Sequence, residues 1–208
     1  MDRLETDADI ERGIKFLCRQ EPAFARAAAR INAPIPLRRR AGGFDALLKA
    51  IVAQQLSVAS AVAIWARVQA AGLTQEKRLL STTDTALREV GLSRQKIKYI
   101  RALALADVDF DALSAASTEE VVEVLTQISG IGVWTAEIYA LFSLGHQDVF
   151  PSGDLALQEA AKDLFAMDQR PSANALKTMA IDWSPWRAVA AHVLWAYYSA
   201  IKKREGIG

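Results

Sequence analysis

The sequence predicts an all-α protein. Apolar residues recur at helical spacing along nearly all of its 208 residues, no stretch alternates as a half-buried strand would, and successive helices carry recognisable start signals. Phe44, Leu47, Leu48, Ile51 and Val52 form one stripe. After the polar interruption Gln54-Gln55, Ser57 caps a second helix that runs to Gly72. Ser93 precedes Ile97, Ile100 and Leu103, and Ser117 with Glu120 has capping-box spacing before Val121, Val124, Leu125 and Ile128. Gly145 ends the helix that begins near Val133, and Asp154 starts the next. Ser184-Pro185 then opens a long C-terminal helix with proline at its first position.

The segments 146–154 and 34–43, the second carrying Arg38-Arg39-Arg40, are the turn-rich candidates for junctions between lobes. The chain closes on Lys202-Lys203-Arg204, which reads as a solvated helix end complementing the macrodipole, or as a weak nucleic-acid signal.

Composition narrows the function classes. With 51% hydrophobic residues and charge spread along the chain, a folded globular protein is expected. No apolar run reaches membrane-spanning length, and the polar, acidic start MDRLETDADIERG lacks the basic and apolar regions of a secretory signal, so no membrane association and a cytoplasmic location are expected. The single cysteine, Cys18, excludes an internal disulfide and any cysteine-held zinc or iron–sulfur site in one chain. His146 and His192 are too few and too far apart in sequence for a catalytic metal site, and each is expected as a surface or packed imidazole. With 25 basic against 24 acidic residues, composition neither suggests nor excludes DNA.

The segment LTQISGIGVWTAEIYALFSL is the most informative. An apolar helix runs into Ser129-Gly130-Ile131-Gly132 and at once into another helix. Two glycines beside one apolar residue make a turn that another backbone can approach, and the free amides of the following helix can point at a phosphate. The same Gly-x-Gly is also what any tight joint between packed helices uses.

GIGVWTAEIYAL resembles the second half of the helix-hairpin-helix of DNA glycosylases, and Asp154, in DVFPSGD, stands where that family keeps its catalytic aspartate. AIVAQQLSVASA resembles the corner that meets DNA at the lesion, GLSRQKIKYIRALA the connecting helix, and WSPWRAVAAHVLWAYY the closing signature of the alkylated-base branch, the 3-methyladenine DNA glycosylase II-like enzymes. The likeness runs from about Phe44 to Tyr198. It implies a two-lobed, all-α helix-hairpin-helix glycosylase fold with the active site in the cleft between lobes. Residues 1–40 are expected to pack with the C-terminal lobe, 41–150 to form the central lobe with the hairpin, and 151–208 to form the C-terminal lobe. Too little chain precedes Phe44 for the additional N-terminal β domain of larger members.

The resemblance also implies roles. Family members that cut the DNA backbone carry a lysine just after the hairpin, where this chain has Trp134, and an indole cannot form a Schiff base. A monofunctional hydrolase acting on damaged duplex DNA as a monomer, and leaving an abasic site, is therefore expected. The target base must be flipped from the stack, at a cost of roughly a few kcal/mol. Gln54, Trp134 and Trp195 are the expected base pocket, where stacking on a cationic alkylated purine gains roughly 0.5–2 kcal/mol. Such a base is already a good leaving group, so no general acid is required.

Gln55 matches the residue that fills the gap left by the flipped nucleotide. Ser57 either donates to a phosphate or simply caps, while Gly130, Ile131, Gly132 and Thr135 are the expected hairpin contacts to DNA. Carbonyls of Thr126, Ile128 and Ile131 are the expected ligands of a structural monovalent cation, Na+ or K+, with no other cofactor. Trp183, Trp186 and Arg187 are expected to pack the C-terminal lobe. Two rivals remain open: a glycosylase for oxidised or mismatched bases, and a helix-hairpin-helix protein that binds DNA without chemistry.

Overall fold

The computed structural model describes residues 2–204, with side chains as far as Lys202. The helices in chain order are α1 (Asp7–Gln20), α2 (Pro22–Ile31), α3 (Phe44–Ala53), α4 (Val58–Ala70), α5 (Glu76–Ser81), α6 (Asp84–Glu89), α7 (Arg94–Leu105), α8 (Phe110–Ala115), α9 (Thr118–Thr126), α10 (Val133–Tyr139), α11 (Leu155–Leu164), α12 (Ala173–Met179) and α13 (Arg187–Arg204). A π-helical turn, Ala140–Leu144, continues α10, and a 3-10 turn, Ala180–Trp183, follows α12. Among the described residues the one strand-like pairing is an isolated antiparallel bridge between Arg3 and His146.

Two compact units divide the chain. One is continuous, from Arg40 to Tyr139, and the other joins the chain up to Arg39 with the chain from Ala140 onward. The expected junction within 34–43 coincides with the first of these boundaries. The second lies at Tyr139–Ala140, inside the helical run that follows the hairpin, whereas the sequence reading places it after residue 150.

In the Arg40–Tyr139 unit, Leu47, Leu48, Ile51 and Val52 of α3 are buried with Ile64 and Val68 of α4 and with Ile97, Ile100 and Leu103 of α7. The helix starts are local chemistry. Ser57, Ser93 and Ser117 each accept the backbone N–H of the residue three positions on, and the Glu120 carboxylate accepts the Ser117 N–H in return. The Lys96 ammonium donates to the Val52 carbonyl, supplying a partner to the last turn of α3. Burial pushes the Lys96 pKa down.

In the other unit, α13 packs against α1, α2 and α11. Gly13 makes the first of these contacts possible, because a Cβ there would lie 2.6 Å from Val189 Cγ2. Trp183 is the aromatic hub: it stacks on Phe165 at 5.9 Å and receives Phe24 and Phe150 edge-on, each at 5.2 Å.

The start of α13 differs from expectation. Pro185 precedes the helix instead of occupying its first position. The Ser184–Pro185 peptide is cis, the Pro185 carbonyl accepts from Gln147 Nε2, and Trp186 provides the first helical acceptor, for Ala190. Both histidines are packed and neither is at the surface. In the C-terminal basic run, Lys202 lies 5.8 Å from the Tyr198 ring, and the side chains of Lys203 and Arg204 fall outside the described residues.

Candidate active site and nucleic-acid interface

The hairpin belongs to the Arg40–Tyr139 unit. Leu125 and Ile128 from α9 and its exit are buried, as is Ile131, whose N–H donates to the Ile128 carbonyl at 3.0 Å. Ile131 thus anchors the turn from inside, while the glycines on either side shape its outside. Gly130 has φ +98°, and a Cβ there would come within 2.3 Å of Tyr99 Cγ, so both conformation and close packing exclude a side chain. Gly132 is different. It is exposed, a Cβ would meet nothing within 4 Å, and its carbonyl accepts from Ala136 to begin α10. Thr135 is buried at 6% exposure, a packed residue on the inner side of α10, whereas Trp134 beside it is 45% exposed.

The α3–α4 corner is tied to this turn. Gln54 Nε2 donates to the Gly130 carbonyl at 2.9 Å, so its amide serves the hairpin within its own unit. Gln55 adopts φ +56° and is exposed, a left-handed conformation that turns the chain sharply between the helices. Ser57 Oγ accepts from Ser60 N–H at 3.2 Å and donates to Ser60 Oγ at 2.9 Å, so it caps α4. Of the three carbonyls named for a cation, that of Ile128 already accepts the Ile131 amide. A carbonyl oxygen has a second lone pair, so this bond does not by itself remove the Ile128 carbonyl from the set.

The second site lies in the other unit, around Asp154. Asp154 is the N-cap of α11: its Oδ1 accepts from Ala156 N–H at 2.9 Å and from Leu157 N–H at 3.1 Å. The same oxygen accepts from the Trp195 indole, Nε1 to Oδ1 3.2 Å. Trp195 in turn stacks on Phe142 at 5.5 Å with 25° between the rings, and His192 contacts both rings edge-on. The His192 Nδ1–H donates to the Ala188 carbonyl at 2.8 Å, which leaves Nε2 as the acceptor nitrogen. Burial lowers the His192 pKa; the Ala188 carbonyl opposes that shift and the Arg38 charge adds to it. The ring is therefore neutral near pH 7.

Two anchors fix the segment that delivers Asp154. Asp148 takes Arg187 in a two-point ion pair, Nε to Oδ1 2.7 Å and Nη2 to Oδ2 2.8 Å, and accepts the Ser184 hydroxyl at 2.8 Å. Burial alone would raise the Asp148 pKa, but hydrogen bonds from Arg187 and Ser184 and the Arg187 charge outweigh it and lower the pKa. Gln158 Nε2 then holds the Ser152 carbonyl at 2.9 Å. Asp148 and Phe142 are the residues that sequence reasoning missed. The only local signal for them is proximity: Phe142 lies near the end of the hairpin segment and Asp148 opens DVFPSGD.

The glycine hairpin that opens α10 and the capping aspartate held by an indole both lie in a stretch that matches one family of repair proteins. The family model of HhH-GPD superfamily base excision DNA repair proteins matches residues 48–187. The chain belongs to this superfamily, in its alkylated-base branch. It is 28% identical over 162 residues to the alkylbase DNA glycosidase-like protein mag2 of Schizosaccharomyces pombe, covering 73% of this chain and 76% of that protein. Among solved structures, a DNA-3-methyladenine glycosidase from Bacillus halodurans superposes with a TM-score of 0.82 at 33% identity, over 92% of this chain and 91% of its own. The 3-methyladenine DNA glycosylase Mag1 of Schizosaccharomyces pombe, in complex with abasic DNA, gives a TM-score of 0.76 at 26% identity, over 88% and 95%.

Proposed function

We propose that this protein is a monofunctional DNA glycosylase that hydrolyses the N-glycosidic bond of alkylated bases, of the 3-methyladenine type, flipped out of duplex DNA. The observation that carries the reading is the Asp154 carboxylate, whose Oδ1 accepts three N–H donors. As an alkylated base departs with its bonding electrons, positive charge develops on the sugar. A carboxylate held rigidly in place stabilises that charge without reorganising, and it orients or deprotonates the water that completes the substitution. The base leaves as a neutral heterocycle because alkylation has already made it cationic, so no proton donor is needed.

The hairpin supplies the grip on the phosphodiester: Gly132 is open to solvent, and the amides that begin α10 follow it. Gln55, exposed at the corner, is the residue assigned to the space left by the flipped nucleotide. The exposed indole of Trp134 is the face assigned to a cationic base. The carbonyls of Thr126, Ile128 and Ile131 are assigned to a monovalent ion that braces the turn.

The decisive experiment is single-turnover release of methylated purines from dimethyl sulfate-treated duplex by Asp154→Asn. Asparagine caps a helix about as well as aspartate, so folding and DNA binding are retained. Excision falls by roughly 10²-fold or more, equivalent to about 3 kcal/mol of transition-state stabilisation. Near-wild-type excision by this variant would reduce Asp154 to a helix cap and end the assignment. Because the residue after the hairpin turn is an exposed tryptophan and not a lysine, strand breaks appear only after alkaline treatment, and borohydride traps no covalent complex. A trapped complex would instead identify a lyase.

A further inference from the structure

We propose that Trp195 acts chiefly as the positioning residue of Asp154, through its indole N–H, and that Phe142 and His192 exist to aim that N–H. The inference rests on Asp154 being the catalytic group. As a helix cap alone, Asp154 already satisfies two α11 amides through Oδ1. The third donor comes from a side chain distant in sequence, on α13, and capping gives no reason for it.

The indole is fixed in turn. Its face lies on Phe142 at 5.5 Å, the His192 ring stands T-shaped to it at 6.1 Å, and His192 is locked by Nδ1 to the Ala188 carbonyl. Phe142 is buried at 6% exposure and His192 at 4%, so neither presents its ring to a ligand. One face of Trp195 is therefore occupied by protein. Its one polar atom, Nε1, donates to the carboxylate whose orientation decides where negative charge meets the sugar.

A pocket wall and a positioning donor make different demands on residue 195, and that difference can be measured. In Trp195→Phe an aromatic face remains but the donor is lost. Replacement by 3-benzothienylalanine, in which sulfur stands for the N–H, keeps the indole's shape as well and guards against a packing defect. If Trp195 works through Asp154, both replacements slow single-turnover release of methylated purines about tenfold or more, the scale of one hydrogen bond to a charged group. Affinity for abasic duplex stays within about threefold, because binding does not use the carboxylate's orientation.

The cycle is closed in the Asp154→Asn background. There the Trp195→Phe change has no further effect beyond about twofold, since the charge it served is already gone. Equal losses in both backgrounds would make Trp195 a base-stacking wall and overturn the inference. Full activity of the benzothienyl protein would overturn it too. Neither result touches the assignment of Asp154, which falls only if Asp154→Asn itself excises normally.

Discussion

The hairpin of the Arg40–Tyr139 unit and the Asp154 site of the other unit are built from opposite materials. The hairpin is made of backbone: one glycine that must be glycine for its own conformation, one left open, and a buried isoleucine between them. The Asp154 site is made of side chains, with a carboxylate, an indole, a phenyl ring and an imidazole each depending on the one behind it. A backbone device tolerates most side-chain changes and fails when the chain cannot take its path. A side-chain relay keeps its fold through conservative changes and fails when one atom is lost. The two parts of the protein thus answer to different mutational grammars.

Substitutions at the two glycines break this comparison most directly. Gly130→Ala places a Cβ against the base of the Tyr99 ring, in a backbone region that L-residues avoid. A loss of about 2–5 kcal/mol in unfolding free energy is expected, measured by denaturant titration. A melting curve like wild type would show that the turn has slack. Gly132→Val is the sharper test. With nothing within 4 Å of the new Cβ, stability changes by less than about 1 kcal/mol. Affinity for duplex, damaged or not, falls about tenfold, close to 1.4 kcal/mol, because a branched side chain now occupies the approach to the amides. Fluorescence anisotropy with a short duplex reads this out, and unchanged affinity would remove Gly132 from the interface.

The smallest effect expected is one of pH on the side-chain relay. Burial holds the folded His192 below its ordinary pKa, so on acidification the unfolded chain takes up a proton near pH 6.5 before the folded protein does. Stability contributed by the neutral ring is thus complete above about pH 6.5 and declines below it, levelling once the folded state also protonates. In His192→Phe the slope of unfolding free energy against pH between about 6.5 and 5 is reduced relative to wild type. Identical slopes would place the titration elsewhere.

What the sequence made legible followed from short-range chemistry. Ser57, Ser93, Ser117 with Glu120, and Asp154 cap the helices they precede, because a cap and its partners lie within a few residues. The stripe from Leu47 to Val52 is buried as its spacing requires. Long-range pairings left no such trace. Gln54 and Gly130 are 76 positions apart, and Asp148 meets Arg187 across 39, so neither bond has a local signature. The start of α13 was misplaced for the same reason: Pro185 answers to Gln147, not to the helix that follows it. The boundary at Tyr139–Ala140 left no local signal, because Ala140–Leu144 continues a helical pattern without a glycine or proline.

That boundary has a consequence for synthesis. α1 and α2 are made before the Arg40–Tyr139 unit, yet they pack against α13, which is made after it. The unit from Arg40 to Tyr139 is contiguous and can fold while the rest is still being translated, at about 5–20 residues per second. For those seconds the first two helices carry an apolar face without its mate, and the hairpin is finished before the carboxylate site exists. A chain released after Tyr139 would therefore carry the hairpin without the Asp154 site, alongside two helices whose apolar face has no mate and is open to aggregation or to capture by a chaperone.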